Sequence, residues 1–346
     1  MLEKRQAHKI GDDEKNHCGF IIMKMKFIGF EEYSCMLVMM RKGKIICKLV
    51  PTGDGSLTPF ESEEKEIGGF QWRVKGKDDC QRTYVSVKDL QISCSYRGSK
   101  TTLWTCEAKG NVTSGGYRER CSKQWAHSYN FRNSAEANIS EVFNMKWMVN
   151  EMGWVYTNVN LLMATNVDAS KSRIIDLAFS TNEMITSPDD AACVEVEGEK
   201  LWLSKGKFGS VSPFFYTLFN GDFNEKATDS YALKEITLDQ FLPFAAIIYG
   251  MDIPIDKECI DHLLRLGDMY KCDTVVRQCH VFLLSVHSES MDIEKKIRLA
   301  DRYEFFSLLK ALIAKMPMDK LKKFVVAGDQ NQLSDFARAM FFERFV

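Results

Sequence analysis

Proline is scarce, at 7 of 346 residues, and no apolar run approaches the ~18 residues that a membrane-crossing helix needs. A helical membrane span is therefore not expected. Net charge is nearly absent as well: 46 Lys and Arg stand against 47 Asp and Glu, a formal balance of −1. Without a surplus of one sign there is no general attraction toward nucleic acid or anionic lipid on which to build a function. No CxxC pair occurs, and the 11 cysteines, an odd number, scatter from Cys18 to Cys279. Reduced thiols follow. The opening MLEKRQAHKIGDDEKN sets alternating charges where a secretory signal needs an apolar stretch, so the expected location is cytoplasmic or nuclear.

The signatures of catalysis are also missing. There is no GxxxxGK[ST] phosphate cradle, no GxGxxG, no GxSxG and no HExxH. Gly206-Lys207-Phe208-Gly209 is a fragment of a glycine loop lying between a hairpin and a helix, the wrong setting for a nucleotide. Cys272, Cys279 and His280 form the densest group of soft ligands, but their spacing on a helix fits no common zinc site, and Cys279 reads as a core thiol. His17-Cys18 is isolated. No enzyme activity, cofactor or metal is expected.

What the chain does contain is material for two cores. A hydrophobic fraction of 45%, 27% charged residues and a length of 346 suit a folded protein of two domains. The hydrophobic period changes near residue 185. Before it, apolar residues alternate: Phe70, Trp72, Val74; Leu90, Ile92, Cys94, Tyr96; Trp125, His127, Tyr129, Phe131; Phe143, Met145, Trp147, Val149; and Val155, Val159, Leu161, Met163. Such alternation marks half-buried strands, and turn signals such as Ser114-Gly115-Gly116 separate them too closely for crossover helices. Residues 60–182 are expected to form an all-β sandwich. Residues 1–59 are an N-terminal extension of uncertain structure, in which Lys44–Val50 suits a strand and the Met- and Cys-rich CMLVMM suits an added strand pair or a loosely ordered stretch. Five of the six tryptophans lie in the β half. Most suit its core, while Trp154, after Gly153 and two residues before Tyr156, suits either core or a peptide groove.

Beyond residue 190, two short β runs flank Glu197-Gly198 as a hairpin, and helices follow. Ser212-Pro213 pairs an N-cap with a first-turn proline. Thr237-Leu238-Asp239-Gln240 has the spacing of a capping box, ahead of Phe241, Phe244, Ala245, Ile248 and Tyr249 on one face. Pro243 inside that helix should distort it. Amphipathic segments continue through Ile260–Tyr270, Val275–Leu283, Ile297–Tyr303, Leu308–Met316 and Leu333–Phe341.

These residues carry a resemblance. Val196-Glu197-Gly198-Glu199-Lys200-Leu201, Ser204-Lys205-Gly206-Lys207-Phe208, Ser212-Pro213-Phe214-Phe215-Tyr216-Thr217-Leu218-Phe219, Ile248-Tyr249-Gly250 and Leu263–Tyr270 resemble, in order and spacing, a BTB/POZ domain over residues 188–286. Ser204 stands where that family usually has histidine, Val211 where arginine is common, and Pro243 within a helix it keeps regular. The tail, residues 290–346, resembles the helical extension of BTB adaptors. Glu61–Glu64, Gly69–Val74, Tyr84–Val87 and Met152–Val159 resemble, more faintly, a MATH (TRAF-like) domain, without the second glycine of its Gly-Trp-Gly segment.

The resemblance implies a multidomain fold: an all-β MATH/TRAF-like sandwich, then an α/β, mostly helical BTB/POZ domain with a three-stranded sheet, then a C-terminal helical extension. It implies Lys205, Phe208, Phe214 and Phe215 at a two-fold dimer interface with itself or another BTB protein. It implies Phe223 and Glu225, in a loop of hydrophobic-x-Glu form, with Tyr249, as contacts to a cullin-3 type scaffold. It implies Tyr84, Trp154 and Tyr156 as the groove for a protein substrate. The function so implied is a substrate-recruiting adaptor of a cullin-3 type E3 ubiquitin ligase. A BTB-mediated scaffold or transcriptional co-regulator that binds no cullin is the alternative.

Overall fold

The structure is a computed structural model; it describes residues 21–23, 36–38, 41–49, 58–78, 84–115, 120–132, 137–138, 143–148, 161–221, 230–326 and 332–344. Among these, no helix is long and apolar enough to cross a membrane. The chain divides into two compact units, residues 1–97 with 106–172, and residues 98–105 with 173–346. The division falls earlier than the sequence expectation of 182. Its reason is hydrogen bonding: Trp202 N donates to Leu177 O at 2.7 Å, and the Asn182 side-chain amide donates to Trp202 O at 3.0 Å, so the stretch after residue 173 belongs to the second unit.

The first unit is built of strands. Near its start Ile21–Met23 (β1) pairs antiparallel with Met36–Val38 (β2), and Lys42–Leu49 (β3) alternates buried Ile45, Cys47 and Leu49 with exposed neighbours. The remaining strands are Phe60–Glu61 (β4), Lys65–Ile67 (β5), Phe70–Asp78 (β6), Tyr84–Ser95 (β7), Thr102–Gly115 (β8), Arg120–Asn130 (β9), Ala137–Asn138 (β10), Phe143–Met148 (β11) and Leu161–Asp176 (β12). One sheet runs β10-β7-β6-β4, with β11 added on β7 and β5 on β6; the other runs β3-β12-β8-β9.

Alternation in the sequence becomes burial here, because successive side chains of a strand point to opposite faces. Phe70, Trp72 and Val74 of β6 and Leu90 and Ile92 of β7 are fully buried, facing Trp125 and Tyr129 of β9. The Trp72 ring meets Tyr129 edge-on at 5.4 Å, and the Tyr129 hydroxyl crosses between sheets to donate to Ile92 O at 2.8 Å. His127 departs from the expected pattern: it is exposed and leans on the Tyr129 ring at 4.7 Å, at the rim of the core. Gly110 of β8 is required by close approach, since a Cβ there would stand 1.8 Å from Asn166 O of β12.

The second unit opens with Ala191–Val196 (β13) and Glu199–Ser204 (β14), an antiparallel hairpin. Glu197 and Gly198 both take positive φ, 54° and 81°, the signature of a two-residue primed turn. Helices Lys205–Val211 (α1) and Pro213–Asn220 (α2) follow, then Ser230–Leu233 (β15), which pairs parallel with β13 and completes a three-stranded sheet. Leu238–Ile248 (α3), Ile260–Met269 (α4) and Asp273–Leu284 (α5) follow and pack against one another. Ile293–Arg302 (α6), Phe306–Lys315 (α7), Met318–Val326 (α8) and Asp335–Glu343 (α9) form the tail. An aromatic cluster of Phe208, Phe215, Phe219, Phe241, Phe244 and Tyr270 fills the core, with ring centroids 5.0 to 6.4 Å apart in the pairs Phe208–Phe215, Phe208–Phe241 and Phe215–Tyr270.

Caps show where local reading holds and where it fails. Ser212 caps α2 as its sequence suggests, its Oγ accepting from Phe215 N at 3.2 Å. The capping box at Thr237 does not form. Leu238 N donates instead to Glu197 Oε2 at 2.8 Å, across from the hairpin turn, and Gln240 Oε1 accepts from Arg265 at 2.7 Å. The helix α3 runs through Pro243 as one element; the N–H that proline lacks would have met the carbonyl of Asp239, which lies on the exposed side.

Candidate protein-interaction site

The hairpin end where β14 turns into α1 is organised by Asp190, a residue to which sequence reasoning gave no role. Its carboxylate accepts from Gly206 N and Ser204 Oγ, both at 2.8 Å, and from Thr186 N at 3.1 Å. Partial burial pushes the carboxyl upward, but the hydrogen bonds outweigh it and hold the pKa below the usual aspartate range. Ser204, at the position where histidine was expected, caps α1 by accepting from Lys207 N at 3.1 Å. A serine does here what a cap requires, and the acid behind it holds its hydroxyl in place.

Tyr249 closes the same junction from below. Its hydroxyl accepts from Ser204 N at 3.2 Å, its ring lies 5.4 Å from Phe208, and only 3% of it is exposed. Burial raises its hydroxyl pKa. The expectation of Tyr249 as a partner contact is therefore corrected: the side chain points into the core and braces the strand-to-helix turn. Arg173 adds a second brace, donating to Tyr249 O at 2.8 Å and to Glu183 at 2.9 Å.

Of the four residues expected at a dimer interface, two are interior. Phe208 and Phe215 expose nothing; they pack edge-on against each other at 5.0 Å, with Phe208 also against Phe241, so they shape the face from behind. Phe214 is 36% exposed and lies over Tyr270 at 4.9 Å; Lys205 begins α1 and is half-buried. Tyr216, which sequence reasoning did not single out, is 60% exposed and packs over Gly209 of α1. Its position one residue after a buried phenylalanine on a helix was the available signal.

Phe223, Glu225, Trp154 and Tyr156 lie outside the described residues. Tyr84 begins β7, opposite Met148 of β11 in the backbone register. In the same sandwich, strands β8, β9 and β12 carry a cleft whose two carboxylates are already paired, Glu107 with Lys171 at 3.3 Å and Asp168 with Lys42 at 3.1 Å. Cys279 is fully buried, and neighbouring His280 stacks on Phe305 at 4.4 Å. His17-Cys18 lies outside the described residues.

What this arrangement can do is hold other macromolecules, and comparison with known proteins points the same way. Residues 190–288 match the family model for the BTB/POZ domain. Over 306 residues the chain is 26% identical to BTB and MATH domain-containing protein 38 of Caenorhabditis elegans, a match covering 83% of this chain and 73% of that protein. It is 24% identical to BTB and MATH domain-containing protein 36 and 29% to protein 15 of the same organism, over 42% and 35% of this chain; each match spans 43% of the relative.

Proposed function

We propose, from the BTB/POZ domain at residues 190–288 and the similarity to BTB and MATH domain-containing proteins, that this chain is a substrate-recruiting adaptor of a cullin-3 type ubiquitin ligase. The β half captures a protein target, and the BTB half dimerises and docks the scaffold. Its work is proximity: tethering raises the effective concentration of a target lysine near a charged ubiquitin carrier, and dimerisation adds avidity for targets with two weak motifs. The observation that carries the reading is the BTB module of residues 190–288 running directly into the helices α6 to α9, with Lys296 of α6 donating to Ser288 at 2.9 Å and Lys295 paired with Asp261 of α4. Such a continuous block offers a scaffold one surface. The cytoplasm or nucleus, where cullins work, is the location that goes with it.

Replacing Phe223 and Glu225 together by alanine and recovering cullin-3 with the purified chain tests this. The expected result is loss of cullin capture with the dimer intact. Capture that is absent in the unsubstituted chain, or the same in both, overturns the ligase reading and leaves an interaction scaffold.

A further inference from the structure

The second unit holds a cleft of about 790 Å³ that the adaptor reading leaves unused. It lies between the segment joining β15 to α3, helix α4 and the first tail helix α6. That volume is within the range of ligand-binding clefts. Buried Leu233, Ile236 and Leu299 contribute apolar surface to it.

The charges that line it are unequal once those already engaged are set aside. Asp261 is paired with Lys295, at 2.5 Å, whereas Glu197 accepts from the first N–H of α3, at 2.8 Å, and keeps its charge. That leaves three cations, Lys234, Arg265 and Arg302, on the cleft against two carboxylates, Glu197 and Glu235. None of these three cations forms an ion pair among the described residues. Arg265 donates only to neutral oxygens, Glu235 O at 3.4 Å and Gln240 Oε1 at 2.7 Å, while Arg302 is exposed and lies 5.7 Å over the Tyr303 ring. Two guanidiniums from separate helices, α4 and α6, are thus left with donors to offer, and their fork geometry suits carboxylates.

We propose that this cleft docks an acidic, extended segment of a protein partner, in which carboxylates flank an apolar side chain. The apolar residue meets Leu233, Ile236 and Leu299, and the carboxylates meet Arg265 and Arg302. Electrostatic complementarity of this kind sets specificity and association rate. The inference is independent of cullin binding, since it uses no residue of the loop at Phe223 and Glu225.

Fluorescence polarisation with the full chain and a labelled Glu-Glu-Leu-Glu-Glu peptide tests it, with Gln-Gln-Leu-Gln-Gln as the neutral probe. The acidic probe is expected to bind about tenfold tighter than the neutral one, and Arg302→Gln to remove most of that difference. Arg302 is exposed, so the variant folds; Arg265→Gln should act in the same direction. Lys310→Gln, at an exposed position of α7 outside the cleft, should change nothing. Equal affinity for the two probes overturns the proposal. So does binding that Arg302→Gln and Arg265→Gln both leave intact, or that Lys310→Gln weakens as much as they do, because diffuse surface charge would then account for it.

Discussion

Tyr249 offers the sharpest separation between a residue that touches a partner and one that supports the fold. Tyr249→Phe keeps the ring, and with it the 5.4 Å contact to Phe208, and removes only the oxygen that accepts from Ser204 N. Ser204 is 2% exposed and Tyr249 3%, so water does not readily replace that acceptor. A buried donor left unsatisfied costs about 1–3 kcal/mol. At about 1.4 kcal/mol per factor of ten, the Ser204 amide should exchange its hydrogen some 5- to 150-fold faster, provided exchange proceeds through opening of this junction. Tyr249→Ala, which also empties a buried ring site, should destabilise by about 3–5 kcal/mol. Amide exchange followed by nuclear magnetic resonance reads the first effect, and urea unfolding the second. If Tyr249→Phe leaves Ser204 exchange unchanged yet lowers cullin capture, the hydroxyl faces a partner and the structural reasoning is wrong.

Two further outcomes can be checked. Asp190 has its pKa lowered in the folded state, despite a desolvation effect of opposite sign, so its stabilising contribution is complete above the unfolded value near ~3.9 and is lost as pH falls through the folded one. Asp190→Asn should accordingly melt below the unsubstituted chain near neutral pH, the gap closing below about pH 4; a gap that is constant with pH would show that the carboxylate's charge has no part in holding α1. Gly110→Ala would place a methyl group 1.8 Å from the backbone oxygen of Asn166, an atom fixed by the sheet, and should cost at least the upper end of the ~1–3 kcal/mol typical of overpacking. An unchanged urea midpoint for this variant would mean that β8 and β12 do not approach as described.

Much of this fold was written in local pattern. The alternation at Phe70, Trp72 and Val74, the Glu197-Gly198 turn and the Ser212-Pro213 cap each depend on a few neighbouring residues, and the structure has all three. The strand β15 is different: it pairs parallel with β13, a partner some 37 residues earlier in register, and four residues of modest hydrophobicity do not announce that pairing. The cap of α3 shows the same limit. Thr237 and Gln240 have the right spacing, yet Glu197 and Arg265 claim the backbone and side-chain groups involved, because they arrive from elsewhere in the chain at better geometry.

By itself, then, the amino-acid order determined two unlike halves, one of period two and one helical, together with the motifs that tie the second to a known module. It did so because strand alternation, turn conformation and helix capping are satisfied within a few residues. Which side chains face outward was decided only in three dimensions. Phe208, Phe215 and Tyr249 sit in motifs associated with contact, yet each is enclosed by the aromatic core that α1, α2, α3 and the end of α4 build, whereas Phe214 and Tyr216 beside them remain at the surface. A helix buries whatever its neighbours cover, and those neighbours come from distant parts of the chain.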